Sequence, residues 1–204
     1  MNYLNFKNRF LDLKCFHVHQ VYAWQADFDK SNLTRWVKRD LLVKLRNGYY
    51  SFPEYLSKPD FRYFVSNRIY RPSYVSLHTA LAFYGMIPEA VITISAVSTL
   101  KKTKFENSFG TFTYQQIASD LMFGYDLKPF SDCQAIMFAQ PEKALLDLLY
   151  LYPFYNTEQE MIELRLDEDF MQQDFNMDRF HEYARRFQSK TLDKRSKLLM
   201  KVYS

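Results

Sequence analysis

Glycine is scarce in this sequence. Only Gly48, Gly85, Gly110 and Gly124 occur in 204 residues, and no two of them are closer than 14 positions. A P-loop or a dinucleotide-binding loop needs closely spaced glycines to let the backbone approach a phosphate. The glycine-flanked serine of a nucleophile elbow is missing as well. This spacing excludes the usual glycine-rich nucleotide and hydrolase motifs.

Cysteines and long apolar runs are scarce too. Cys15 and Cys133 are the only cysteines and lie far apart, which does not indicate a disulfide framework. No run of about 18 uncharged apolar residues occurs, so no membrane span is predicted. The first residues carry charges throughout and lack the apolar centre of a secretory signal. We therefore expect a cytoplasmic protein.

Large side chains are abundant. The composition is 48% hydrophobic, 25% charged and 18% aromatic. Each aromatic ring buries a large apolar area, so a chain of this size can build a core without disulfides. This balance predicts a globular fold and argues against disorder.

Positive charge is concentrated near the N-terminus. Residues 1–60 have a net charge of +4 and residues 61–204 a net charge of zero, by count of Lys and Arg against Asp and Glu. The segment from Lys30 to Arg46 contains six basic residues and only one acidic residue, Asp40. Such a segment is typical of a phosphate-binding surface, and equally of a solvated helix face.

Two consecutive helices are predicted around this basic segment. Rough helical spacing predicts a first helix of about 10 residues that ends near Gln25; it contains Phe16, His19, Val21 and Trp24. Asp29 or Ser31 is expected to cap the second helix. In the second helix, Leu33, Trp36 and Val37 are spaced to form one stripe that is predicted to be buried. Its outward side chains are predicted to be Asn32, Arg35, Lys38 and Arg39, as in a helix-turn-helix.

A β-hairpin is predicted directly after these helices. Asn47-Gly48 is a favoured two-residue turn, because both positions then take a positive φ. This turn would pair Leu45 with Tyr50 and Val43 with Phe52 on an apolar face, and would place Lys44 and Arg46 on the outer face. A hairpin after a basic helix-turn-helix predicts a winged helix.

The predicted DNA-binding residues fall into two groups, those that could contact base edges in the groove and those that could contact phosphates. Asn32 and Arg35 lie early in the second helix and could read base edges. The remaining basic side chains are better placed for phosphates; they are Lys30, Lys38, Arg39, Lys44 and Arg46. The alternative is a winged helix that makes only protein contacts.

The rest of the chain predicts an α+β domain with a helical C-terminal tail. We expect a winged helix-turn-helix domain at 1–56, a connecting helix at 57–70 starting at Ser57-Lys58-Pro59, and a mixed domain at 71–204. Within that mixed domain the expected elements are a helix capped by Ser76 and ending at Gly85, a β-rich run over 91–98, a hairpin around 107–110, a strand over 134–139 and a helix from Pro141 to Leu151.

Four segments resemble the AbiEi abortive-infection antitoxin family of type IV toxin–antitoxin systems. They are RWVKRDLLVKLRNGYYSFPE (35–54), RPSYVSLHTALAFYGMIPE (71–89), FENSFGTFTYQQI (105–117) and AQPEKALLDLLYL (139–151). The resemblance implies a winged-helix repressor that binds repeats in its own promoter, in double-stranded DNA. It also implies an antitoxin that neutralises a nucleotidyltransferase-like toxin without a stable complex. A solo member without a toxin is equally compatible.

Two motifs look chemical but have simpler explanations. Cys15, His17 and His19 do not share one helix face, so no metal site is expected. Lys143 and Asp147 are predicted to form a surface ion pair, and Glu142 to sit favourably at a helix N-terminus. We therefore expect no enzyme activity and no cofactor. A nuclease-like second domain remains an alternative.

The tail changes sign along its length. Residues 158–178 have a net charge of −7 and residues 179–201 a net charge of +6. Packed helices with facing opposite charges are predicted. An alternative is a second phosphate-contacting patch formed by Arg185, Arg186, Lys194, Arg195 and Lys197.

Overall fold

A computed structural model describes residues 2–58, 60–131 and 134–203. Pro59 and Cys133 lie outside these ranges, so the predicted position of Pro59 in the first turn of a helix is not addressed, nor is the expectation that the two cysteines form no disulfide framework. Helices and strands both occur, and in the second half of the chain a run of strands is followed by a run of helices, which fits the α+β prediction. Among the described residues, no helix has the length and apolar character needed to cross a membrane.

The N-terminal unit, residues 2–56, contains three helices and a three-stranded antiparallel sheet. Its elements are α1 (Tyr3–Phe10), β1 (Cys15–His17), α2 (Val18–Trp24), α3 (Ser31–Lys38), β2 (Val43–Arg46) and β3 (Tyr49–Ser51). The strand order is β1-β3-β2. α1 has no counterpart among the predicted elements.

The first predicted helix begins later than its apolar spacing suggests. Phe16 lies in β1, where it pairs with Tyr50, and the helix starts only at Val18. The apolar residues of β1 and of the following helix α2 together have the spacing expected of a single helix, which is why the predicted start was too early. The predicted end is confirmed, because Gln25 caps α2 at its C-terminus.

Aromatic rings form the core of the N-terminal unit. Phe6 of α1 lies at its centre, with ring centroids 4.6 Å from Trp36 and 5.5 Å from Phe16. Phe52, after β3, is also fully buried. These rings fix α3 against the sheet.

A connecting helix and a larger mixed unit follow. The helix is α4 (Phe61–Ile69), which begins later than the predicted start at residue 57. Phe61, Phe64, Val65 and Ile69 are fully buried. The C-terminal unit, residues 71–203, contains β4 (Ser73–Val75), α5 (Leu77–Phe83), β5 (Ile94–Ser98), β6 (Thr103–Asn107), β7 (Gly110–Gln116), β8 (Tyr125–Ser131), β9 (Gln134–Ala139), α6 (Pro141–Leu151), α7 (Glu158–Ile162), α8 (Glu168–Gln173), α9 (Met177–Arg186) and α10 (Lys190–Tyr203).

The strands of the C-terminal unit form one mixed sheet with the order β6-β7-β5-β4-β9-β8. β7 pairs with β5 in parallel, as does β9 with β4, and the other neighbours are antiparallel. The predicted hairpin is confirmed, because Asn107 pairs with Gly110. The bounds predicted for β9 and α6 are confirmed as well.

α6 is the central helix of the C-terminal unit. It packs against α5, α9 and α10, and every residue from Glu142 to Leu149 is buried. Opposite charges do meet across the tail, since Lys201 of α10 pairs with Glu158 of α7 at 2.5 Å. The tail is therefore a packed helical layer.

Candidate nucleic-acid interface

α3 is anchored by its apolar side and capped by the preceding turn. Leu33 and Trp36 are buried in the aromatic core. The N-cap position is Lys30, which makes no side-chain cap hydrogen bond, so neither Asp29 nor Ser31 is the predicted N-cap residue. Asp29, one residue earlier, still satisfies a free N–H at the helix start, because its carboxylate accepts the Ser31 N–H at 2.8 Å and the Ser31 hydroxyl at 2.5 Å. These hydrogen bonds lower the pKa of the Asp29 carboxyl. The opposite face of α3 points to solvent.

Five of the predicted basic side chains are exposed. They are Lys30, Arg35, Lys38, Arg39 and Lys44. The first four belong to α3 and its two ends, and the last belongs to β2. A helix with an exposed positive face and a buried apolar face can present cations to a phosphate backbone.

The prediction that Asn32 reads bases is wrong, because Asn32 is only 7% exposed. Residues four apart share a helix face, so Asn32 lies on the same side as Trp36 rather than opposite it. Its amide donates to the carbonyl oxygen of Asp29 at 2.9 Å, and its side-chain oxygen accepts a hydrogen bond from Arg35. Asn32 therefore orients Arg35 instead of contacting a ligand.

The prediction that Arg46 faces outward is also wrong. Its guanidinium donates to the Ile69 carbonyl at 2.6 Å and lies 4.6 Å from the Phe105 ring centroid and 5.1 Å from that of Tyr70. Asn107 adds a hydrogen bond to the Leu45 carbonyl at 3.0 Å. This face of the hairpin is docked on the C-terminal unit, so Arg46 does not reach a phosphate.

The hairpin register differs from the prediction beyond its turn. Next to the turn Arg46 pairs with Tyr49, but Val43 pairs with Ser51 and not with Phe52, because the register shifts between Lys44 and Arg46. Of the two turn residues, only Gly48 has a positive φ, at 78°. The four predicted core residues of the hairpin are nevertheless buried; they are Val43, Leu45, Tyr50 and Phe52.

The second basic patch keeps four of its five members. Arg185, Arg186, Lys194 and Lys197 are exposed. Arg195 is only 8% exposed and donates to the carbonyls of Leu149 at 2.9 Å and Pro153 at 3.3 Å. It caps the C-terminal end of α6, which satisfies carbonyls that a helix end leaves unpaired. The prediction that Arg195 contacts phosphate is therefore wrong.

The predicted surface pair of α6 is in fact a buried polar centre. Lys143 and Asp147 form an ion pair with both side chains 0% exposed. Asp147 also accepts hydrogen bonds from Tyr74 and Ser76, each at 2.8 Å, and Lys143 donates to the Tyr74 hydroxyl at 2.8 Å. Ser76 thus binds Asp147 and does not cap α5 as predicted.

Burial controls the ionisation of this centre. It lowers the pKa of Lys143, an effect that Asp147 opposes, and it raises the pKa of Tyr74 well above its usual value. Glu142, next in the chain, is buried and accepts the Asn176 N–H at 2.9 Å. These groups join α6 to β4 and α9. The sequence pattern at 141–147 could not distinguish a buried helix from a surface helix.

The Cys-His segment is divided between a strand and a helix. Cys15 is buried in β1, which raises the pKa of its thiol to about 12. His17 caps α2 by accepting the His19 N–H at 3.2 Å, and burial lowers its pKa. Within the described ranges, no group of three or more His, Cys, Asp or Glu side chains could hold a metal ion.

No protein-family model matches the chain, and no curated protein matches it significantly.

Proposed function

We propose that this protein is a winged helix-turn-helix transcriptional autoregulator that binds double-stranded DNA with α3. The observation that carries the proposal is the exposed basic face of α3 on a helix whose other face is buried. The order helix, strand, helix, helix, strand, strand and the sheet order β1-β3-β2 support a winged helix. In such a fold the third helix enters the major groove.

Within this proposal, Arg35 is the base-reading residue. It lies in the middle of α3, and its contact with Asn32 holds the guanidinium in place. A guanidinium pairs with the O6 and N7 atoms of guanine. Lys30, Lys38 and Arg39 surround it and contact phosphates, which sets the register of the helix without reading sequence.

The antitoxin role is the second part of the proposal, and it rests on the sequence resemblance alone. In this interpretation the protein represses its own promoter and neutralises a nucleotidyltransferase-like toxin encoded beside it, without a stable complex. No catalytic role is assigned to the C-terminal unit. Expression of the neighbouring reading frame with and without this protein tests the role. The neighbouring product alone should arrest growth, and expression of both proteins together should restore it.

Fluorescence anisotropy of the full chain tests DNA binding. The probes are a duplex from the gene's own upstream region and a scrambled duplex, each at several salt concentrations. We expect Arg35→Glu with Lys38→Glu to abolish binding to the upstream duplex. The loss should exceed that from charge alone, because one base contact contributes roughly 1–3 kcal/mol.

A matched control carries the same charge change elsewhere. Lys101 and Lys102 are exposed in the C-terminal unit, so Lys101→Glu with Lys102→Glu should leave the affinity nearly unchanged. Lys44→Glu should weaken binding to both duplexes alike and flatten the salt dependence. Equal losses in the α3 variant and the control would contradict the proposal.

A further inference from the structure

A pair of arginines, separate from both basic surfaces described above, lies where the two units meet. Arg68, near the end of α4, and Arg71, just after it, line two adjoining openings of about 510 Å³ and 250 Å³. The smaller opening is also lined by His17 and Tyr49 of the N-terminal unit. None of these residues belongs to the proposed DNA-binding face.

The two guanidiniums lack an anionic partner among the described residues. No ion pair joins either of them to a carboxylate there. Arg71 donates to the Asn67 carbonyl at 3.2 Å, and the Arg68 guanidinium lies 4.7 Å from the Phe64 ring centroid. Burial and the charge of Arg71 lower the pKa of Arg68. Two like charges that line the same openings favour a bound anion.

Two buried polar groups in the larger opening also lack partners. Asn67 is 8% exposed, and its side-chain oxygen accepts the Met137 N–H at 2.5 Å. That bond fixes the amide, and the Asn67 Nδ2 atom has no hydrogen-bond partner. The hydroxyl of Ser73, 2% exposed, has none either. Buried polar groups are rarely left unpaired, so two donors among the residues that line one cleft suit a ligand with several acceptor oxygens.

We propose that this cleft binds a small phosphomonoester dianion whose apolar body lies against Ala135 and Met137. Two guanidiniums match two negative charges, and Asn67 and Ser73 add neutral donors for the remaining phosphate oxygens. A carboxylate would leave one guanidinium charge and some of these donors unmatched. Ala135, Met137 and Pro72 supply the apolar lining beside the cations. The site does not depend on DNA binding by α3.

Isothermal titration and thermal shift of the full chain test this site, with phenyl phosphate, inorganic phosphate and benzoate as probes at constant ionic strength. We expect phenyl phosphate to bind more tightly than inorganic phosphate, because only phenyl phosphate covers the apolar lining. Benzoate should bind at least tenfold more weakly than phenyl phosphate. A ligand that binds only the folded state raises the melting temperature, so the two measurements check each other.

Three variants separate binding from folding. Arg68→Gln with Arg71→Gln should abolish the response, whereas Arg62→Gln, a control on the same helix outside the cleft, should retain it. Ser73→Ala removes an unpaired hydroxyl, so the free protein should be as stable as wild type or more stable. It should nevertheless bind phenyl phosphate several-fold more weakly.

Several results would overturn the proposal. They are an absence of phosphate binding at millimolar concentrations, equal affinity for benzoate, or unchanged binding by Ser73→Ala. A double arginine variant that loses affinity for duplex DNA while wild type ignores all three probes would instead assign these arginines to the DNA interface.

Discussion

The buried centre of α6 allows a stability experiment with a calculable result. In Asp147→Asn, the ammonium of Lys143 keeps its charge but loses its counter-charge in a site that water does not reach. The hydroxyls of Tyr74 and Ser76 also lose a charged acceptor. Removing one partner of a buried ion pair typically costs about 3–5 kcal/mol of unfolding free energy. For a chain of this length that corresponds to a melting temperature lower by roughly 6–20 °C.

The cost of Asp147→Asn should depend on pH in a definite direction. Burial lowers the pKa of Lys143 in the folded protein, and loss of Asp147 lowers it further. Between the folded and the unfolded pKa, the unfolded state binds more protons, so the unfolding free energy rises with pH. The variant should therefore recover part of its stability relative to wild type as the pH increases from about 7 towards 10.

Urea unfolding followed by circular dichroism measures both effects. The matched variant is Lys143→Met combined with Asp147→Leu, which replaces the pair by apolar side chains of similar size. It should be clearly more stable than Asp147→Asn, because neither charge of the pair is left buried without its partner. A loss below about 1 kcal/mol for Asp147→Asn, or a deficit that grows with pH, would refute the argument.

Two further predictions concern the hairpin. Gly48→Ala should lose roughly 1–3 kcal/mol of unfolding free energy, because φ is 78° and the new Cβ would lie 2.4 Å from the His17 Nε2 atom. A change in melting temperature no larger than that of Gly85→Ala, whose Cβ would meet no atom within 4 Å, would contradict the steric part. Arg46→Ala should also lose about 1–3 kcal/mol, yet leave the salt dependence of DNA binding unchanged. A flatter salt dependence in anisotropy would show that Arg46 does contact phosphate.

The parts of the fold that sequence could predict are those with strong local signals. Asn47-Gly48 marks a turn, and Pro141 starts a long apolar helix whose end at Leu151 is equally clear. β4 and β8 were missed, because a three-residue strand carries little periodicity and β8 contains Pro129. β4 forms through pairing with β5 and β9, which are distant in sequence, and β8 forms through antiparallel pairing with β9, the next strand.

The site was harder to predict because burial depends on tertiary contacts. Lys143 and Asp147 have the spacing of an exposed pair, and only the enclosure of α6 makes them internal. Because side chains alternate between the two faces of a strand, Arg46 would point outward in an isolated hairpin. In this protein the C-terminal unit covers that face. Asn32 is different, since its four-residue spacing from Trp36 already placed it on the buried face. That error was avoidable from helix geometry.

The docked hairpin limits how much charge the proposed interface can use. With Arg46 bound to the C-terminal unit and Asn32 buried, five exposed cations remain on α3, its ends and β2. Each phosphate neutralised contributes about −0.9 to the slope of log affinity against log salt. With Arg35 on a base, four cations give a slope of about −3.6, and all five give no more than about −4.5 for one copy of the chain. A steeper slope would require cations from elsewhere. If the steeper slope disappears in the variant Arg185→Glu with Lys194→Glu, the additional cations belong to the second patch. If the steeper slope persists in that variant, more than one copy of the chain binds the duplex.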